Sequence, residues 1–151
     1  MSVRRRFVLV TVSRSMAALL FLSAIEGCSG DSGPTCFPVR GEIRLEGKPL
    51  AEAMVVFHPL DPDAPEISKP LAYSDKDGEF ELTTLKPRDG APAGEYAITV
   101  ELRELIQDGD QMVRDGRNLL PERYRIPSES GLKFTVENEA NEVPVIELKS
   151  K

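Results

Sequence analysis

From about residue 37 to the end of the chain, apolar and polar side chains take turns one by one through segment after segment. That period of two marks strands with one buried and one solvated face. Val39, Gly41, Ile43 and Leu45 fall on one side, and Arg40, Glu42, Arg44 and Glu46 on the other. A second run sets Val55 and Phe57 against Met54, Val56 and His58. Being apolar on both sides, it belongs in the middle of a sheet. Leu71 and Tyr73 suggest a third strand. Phe80 and Leu82 alternate with Glu79, Glu81 and Thr83, and Tyr96, Ile98, Val100 and Leu102 with Glu95, Ala97, Thr99 and Glu101. Leu132, Phe134 and Val136 then alternate with Lys133 and Thr135, and Ile146 and Leu148 with Glu147 and Lys149. Pro144 removes a backbone donor at the start of this last run, so the strand is expected at an edge or with a bulge.

Turn residues punctuate the runs. Glu46-Gly47-Lys48-Pro49 follows the first, and Asp75-Lys76-Asp77-Gly78 joins the third and fourth, where Asp-Gly is a hairpin signal. Asp89-Gly90-Ala91-Pro92-Ala93-Gly94 leads into the fifth, and Asn138-Glu139-Ala140-Asn141 joins the last pair. Seven short strands separated by turns predict an all-β fold, a single seven-stranded β-sandwich over residues 37–151. Phe57, Phe80, Tyr96 and Phe134 fall on its core faces; Phe37, Tyr73 and Tyr124 are loosely placed. Two segments lack the alternation. Residues 58–69 carry Pro59, Pro62 and Pro65 and read as an irregular loop. Residues 103–127 read as a long, charged loop with room for a helical turn between 105 and 118. Loops of that length are usually functional or unstructured.

The first 27 residues differ from the rest. Arg4, Arg5, Arg6 and Arg14 form a basic head, and an apolar run extends from Met16 to Ile25. A basic head followed by a short apolar stretch describes an export signal. The run is too short for a membrane-spanning helix, which needs roughly 20 residues. Ile25-Glu26-Gly27-Cys28 resembles the lipobox of bacterial lipoprotein signals, with an aliphatic residue three before the cysteine and a small one just before it. Glu26 departs from the usual small or apolar residue. The resemblance implies diacylglyceryl attachment to the Cys28 sulfur and cleavage before it, leaving Cys36 as the other thiol, buried or capped. The rival reading is a Cys28–Cys36 disulfide in a protein without lipid. Residues 28–36, rich in Gly, Ser and Pro, form a flexible tether. Arg4-Arg5-Arg6-Phe7-Val8 also resembles a twin-arginine export motif, though Val3 stands where Ser or Thr is usual.

Removing the signal takes four Arg and Glu26 from 19 basic and 25 acidic side chains and leaves a net charge of −9. So acidic a domain should repel nucleic acid.

The residues Pro38-Val39-Arg40-Gly41-Glu42-Ile43, Gly47-Lys48-Pro49-Leu50, Ala53-Met54-Val55-Val56-Phe57, Ser74-Asp75-Lys76-Asp77-Gly78-Glu79-Phe80 and Gly94-Glu95-Tyr96 resemble the carboxypeptidase regulatory-like domain family. The resemblance runs from about Pro38 to Leu148. It implies a transthyretin-like (prealbumin-like) sandwich of Ig-like Greek-key type, used as an interaction or spacer domain. Leu120-Pro121-Glu122-Arg123-Tyr124 and Ser130-Gly131-Leu132 look like a tail of small bacterial lipoproteins of this kind. The matching residues are structural, glycines for turns and apolar residues for the core, and they carry no chemistry of their own.

Little in the chain points to catalysis. His58 is the only histidine, and neither a nucleophile elbow nor a zinc spacing occurs. Transthyretin-like hydrolases, which the sandwich also resembles, use several histidines, an arginine and a C-terminal Tyr-Arg-Gly-Ser. This chain ends Glu147-Leu148-Lys149-Ser150-Lys151. Read as an EF-hand with Gly78 at its sixth position, the Asp75–Gly78 segment would have Tyr73 first and Thr84 last, neither of which fits. Asp61 and Asp63 would add oxygen ligands if their loop folded beside this turn. Trp is absent, and most aromatic rings fall on core faces, which argues against carbohydrate platforms. No catalytic residue, cofactor or metal is therefore expected, and Cys28 is the lipidation site. His58, Asp61, Asp63, Asp75, Asp77 and Tyr124 are the candidate binding-loop residues. The expected function is that of a non-enzymatic cell-envelope protein, exported and held to a membrane by lipid, whose sandwich serves as an interaction or structural module. The alternatives are binding of a small molecule, glycan or calcium by the two long loops and, further off, hydrolase activity. Expected partners are the membrane and other envelope proteins.

Overall fold

The computed structural model describes residues 33–64 and 69–151. The expected export signal, Cys28 and most of the expected tether lie outside these residues. All seven expected strands are present, in two sheets packed face to face.

One sheet is built on β2 (Val39–Leu45). β12 (Asn141–Leu148) runs parallel to it on one side, while β3 (Lys48–Pro49) and β6 (Glu79–Glu81) pair antiparallel with its other side. The second sheet has the order β11 (Lys133–Val136), β8 (Gly94–Glu101), β4 (Met54–Pro59), β5 (Leu71–Tyr73), antiparallel throughout. A two-residue pair, β1 (Cys36–Phe37) with β7 (Ala91–Pro92), closes the end at which the described chain enters. Most of the expected inward set is buried: Val39, Ile43, Val55, Phe57, Phe80, Leu82, Tyr96, Ile98, Val100, Val136, Ile146 and Leu148, with Leu45, Leu102, Leu132 and Phe134 half-buried against them, while Ala97 and Thr99, expected on the solvated face of β8, are buried too. Phe57 lies at the centre, its ring 5.7 Å from that of Tyr96 and 6.3 Å, edge-on, from that of Phe134. These are the tilted geometries that aromatic quadrupoles favour.

Pro144 acts as expected. Val143 pairs with Gly41 and Ile146 with Ile43, so β12 carries one extra residue across that stretch. This is a bulge on an edge strand. It lets both Val143 and Ile146 face the core although they are three apart. Gly41 is required here, because a Cβ would stand 2.8 Å from Phe80 Cζ and 2.9 Å from Val143 Cβ.

Three expectations need correction or completion. First, the Asp75–Gly78 turn is tight and closed as expected, with Gly78 N–H donating to Asp75 O at 3.0 Å and Asp75 N–H to Glu79 O at 2.8 Å, but the two strands it joins do not form a continuous ladder. β5 pairs with β4 in one sheet and β6 with β2 in the other, and beyond the turn their segments meet again at a Leu71–Thr83 bridge. Second, the third strand, whose faces the alternation left unassigned, turns Leu71 and Tyr73 outward and buries Ala72 between them. Third, residues 103–118 are neither loop nor helical turn. They form a β-hairpin of β9 (Arg103–Asp108) and β10 (Gln111–Asn118), followed by a short 3-10 turn at Glu122–Arg125. Gly109 opens the two-residue hairpin loop with φ +59, the sign a mirror-image turn needs at its first position.

Candidate interaction surface

The candidate acidic side chains are spent on their own loops. Asp61 Oδ1 accepts the Asp63 N–H at 2.9 Å. Asp75 Oδ1 accepts the N–H groups of Asp77 (2.9 Å) and Glu79 (3.0 Å), and Asp77 is ion-paired with Lys76. Such side-chain-to-backbone bonds let Asp shape turns. The two turns also sit at opposite ends of the sandwich. Met54, at the start of β4, pairs with Tyr73, two residues before Asp75; Pro59, at its end, precedes Asp61 by two. Six residues of strand, about 20 Å at ~3.3 Å each, keep the turns apart, so the two Asp pairs cannot share one ion. Among the described residues, no three His, Cys, Asp or Glu side chains converge as metal ligands.

Tyr124 is a core residue and not a binding-loop residue. It is 5% exposed, and its hydroxyl accepts the Lys149 N–H at 2.9 Å and Arg123 Nη2–H at 3.0 Å. Arg123 also lies 4.7 Å over the ring. The 3-10 turn thus pins the end of β12 to the second sheet.

His58 lies on the outer face of β4, half-buried, with Nε2 2.8 Å from Thr99 Oγ1 across the β4–β8 ladder. Burial, and then the charge of Lys69, lower its pKa below the ordinary 6.5. A histidine whose folded pKa is depressed binds fewer protons than in the unfolded chain, so its contribution is fully present above pH ~6.5 and is lost as pH falls below that value. The wild-type melting temperature is therefore expected to fall between pH 7 and pH 5.5, and the His58→Gln curve to stay flatter over that window. Parallel curves would show that the imidazole is not desolvated.

Cys36 carries a free, half-buried thiol. Burial and then the charge of Asp89 push its pKa up. Burial pulls the Asp89 carboxyl up as well, but backbone N–H groups of Thr84 (2.7 Å), Lys86 (2.8 Å) and Leu85 (3.0 Å) converge on it and bring it below the usual range. That carboxylate is a loop staple. The thiol beside it is correspondingly unreactive, because the thiolate is the nucleophile.

The two outer sheet faces differ in character. On β2, β6 and β12 the outward side chains are charged and paired: Arg40 with Glu142 at 3.2 Å, Arg44 with Glu42 at 2.6 Å, Arg88 with Glu81 at 3.2 Å. Arg40, Glu42, Glu79, Glu81 and Glu142, with the exposed Val145 among them, line a shallow groove of about 400 Å³. On the other sheet, Tyr73 (62% exposed) and Leu71 (38%) stand beside their cross-strand partners Met54 and Val56. This is an apolar cluster where alternation would ordinarily place polar groups. The hairpin adds Leu105, Ile106 and Met112, all exposed. The sequence reading missed it, although Asp108-Gly109 between two β-compatible runs is the Asp-Gly signal recognised elsewhere in the chain.

No family model matches the chain, and no curated protein matches it. Among solved structures the sandwich is similar to a DUF3823 family protein from Parabacteroides merdae, at 12% identity and a TM-score of 0.39 over 77% of this chain and 47% of that one. It is similar also to a 9R-lipoxygenase from Cyanothece, at 16% identity and a TM-score of 0.43 over 76% and 16% of the two chains. The major pilin subunit of Bacillus cereus gives 13% identity and a TM-score of 0.41 over 76% and 30%. The chain spans less than half the length of each of these proteins.

Proposed function

We propose that this chain is a non-enzymatic lipoprotein of the bacterial cell envelope, lipidated at Cys28, whose carboxypeptidase regulatory-like sandwich serves as an interaction module. The observation that carries the reading is the outward apolar cluster of Leu71, Tyr73, Met54 and Val56, set on a domain whose acidic candidate residues are committed to turns and whose one histidine is bonded to Thr99. Contiguous exposed apolar patches mark interaction sites. The resemblance of Ile25-Glu26-Gly27-Cys28 to a lipobox supports the anchor.

The test follows both halves of the reading in cells making the full chain. The wild-type protein is expected in the membrane fraction, with a mature N-terminus at Cys28 carrying acyl chains. Cys28→Ala is expected to release it or stall its processing, since acyl methylenes supply the membrane affinity. Tyr73→Ser with Leu71→Ser is expected to abolish a discrete chemical crosslink to an envelope protein while leaving the melting temperature nearly unchanged. An unmodified N-terminus downstream of Cys28 refutes the anchor. A crosslink indifferent to the double substitution refutes the surface.

A further inference from the structure

We propose that the β9–β10 hairpin is a docking arm that inserts into an apolar cleft of a protein partner, with basic side chains at the mouth of that cleft. The proposal rests on the reading of the domain as an envelope interaction module and names the chemistry of what it meets.

The argument begins with the register. Arg114 pairs with Leu105, Val113 with Ile106 and Met112 with Gln107. Paired residues share a face and successive residues alternate, so Leu105 and Met112 stand on one face of the ribbon and Ile106 and Val113 on the other. Leu105 is 50%, Met112 61% and Ile106 40% exposed. A ribbon that lies flat on a single surface needs one apolar face. This one offers apolar groups on both, which suits cover from two sides. A two-stranded ribbon alone in water is marginal at best, so such cover also gives it a reason to persist.

The base of the arm is fixed. Arg114 is ion-paired with Glu52 in the turn before β4 and donates to Arg103 O at 2.8 Å. Arg117 meets Glu104 at 3.0 Å, and Arg103 meets Asp115 at 3.6 Å. The tip is different. Asp108 and Asp110 flank Gly109, and neither has an ion partner among the described residues. Two unpaired carboxylates at the leading end call for basic groups on the partner and disfavour an anionic lipid surface. The placement fits as well. The described chain enters at β1, beside β7, which leads into the start of β8, whereas the hairpin leaves from the far end of β8. The eight residues of β8 alone, about 26 Å at ~3.3 Å per residue, separate the base of the arm from the entry end.

Photo-crosslinking in cells making the full chain tests the arm, with the reactive group placed at position 105, at position 106 or, as a control, at position 142 on the charged sheet face. The expected result is an adduct to one and the same protein from 105 and from 106, none from 142, and a yield about tenfold lower when Asp108→Lys and Asp110→Lys are combined, because like charges then meet across the contact. Both aspartates are exposed, so the charge variant should keep the wild-type melting curve, which is checked in parallel. An adduct at twice the chain's own mass, adducts to lipid, adducts from one face only, a yield indifferent to charge reversal, or no adduct each overturns the proposal. Adducts from a chain that lacks lipid at Cys28 would leave the arm standing and the anchor refuted. A membrane-bound chain without adducts refutes the arm alone.

Discussion

Phe80→Ala is expected to destabilise the domain severely, while Glu81→Ala, one residue on, melts with the wild type. Phe80 is 2% exposed and opposes Gly41 in the β2–β6 ladder, its ring and Val143 of β12 both occupying the space where a Gly41 side chain would be. The ring therefore fills a site bordered by all three strands of that part of the sheet. Removing it forfeits burial and leaves a cavity that two strand backbones cannot close, a loss of about 3–5 kcal/mol for Phe→Ala. Total stability of such a domain is on the order of 5–15 kcal/mol, so the loss is a large share. Glu81 points outward to an exposed contact with Arg88 at 3.2 Å, and exposed pairs contribute about 0–1 kcal/mol. Denaturant melts of the two variants decide it. A neutral Phe80→Ala beside a severe Glu81→Ala would mean that the strand faces the other way, because a one-residue slip exchanges the two faces of a strand.

The strands were legible where they separate their faces cleanly, so that Val39 to Leu45 or Glu79 to Leu82 can be sorted by polarity alone, and Met54 to His58, apolar on both faces, was legible as a central strand. β5 shows where this stops. Leu71 and Tyr73 alternate with Ala72, which says that two faces exist without saying which is buried. The decision is made by Pro70 and Ser74, both buried on the Ala72 side. Ser74 Oγ donates to Leu50 O at 2.6 Å and accepts the Ala53 N–H at 3.0 Å. A buried serine that closes two backbone bonds has no hydropathy signature. The hairpin was hidden for another reason. Its apolar residues come in adjacent pairs, Leu105-Ile106 and Met112-Val113, one on each face, so the period of two never shows. Tyr124 could not be placed because its partners, Lys149 and the end of β12, lie 25 residues away. The candidate aspartates were legible as turn formers, and the distance between their two turns follows from the antiparallel pairing of β4 with β5, which composition does not reveal.

Gly90→Ala is expected to destabilise the domain by about 3 kcal/mol or more, at the upper end of single-substitution effects, whereas Gly47→Ala costs about 1–2 kcal/mol. Both glycines have positive φ, +87 and +79, and an L-residue in that region carries roughly 1–2 kcal/mol of strain. They differ in what a side chain would meet. At Gly47 nothing lies within 4 Å of the added carbon. At Gly90 it would stand 1.7 Å from Phe37 O and 2.8 Å from Pro38 Cα, both backbone atoms. No rotamer change relieves that overlap. Either the β1–β7 pair separates, undoing the Phe37–Ala91 match, or the loop that Asp89 staples moves away and breaks the Gly90 N–H bond to Leu82 O at 3.0 Å. Each route opens the end of the sandwich where Ala91, fully buried, packs on the core. Denaturant midpoints compared at constant slope measure the difference between the variants. It isolates the clash, because the backbone strain is common to both. Equal midpoints would mean that β1 does not approach this loop, and that the closed end of the sandwich is held together in some other way.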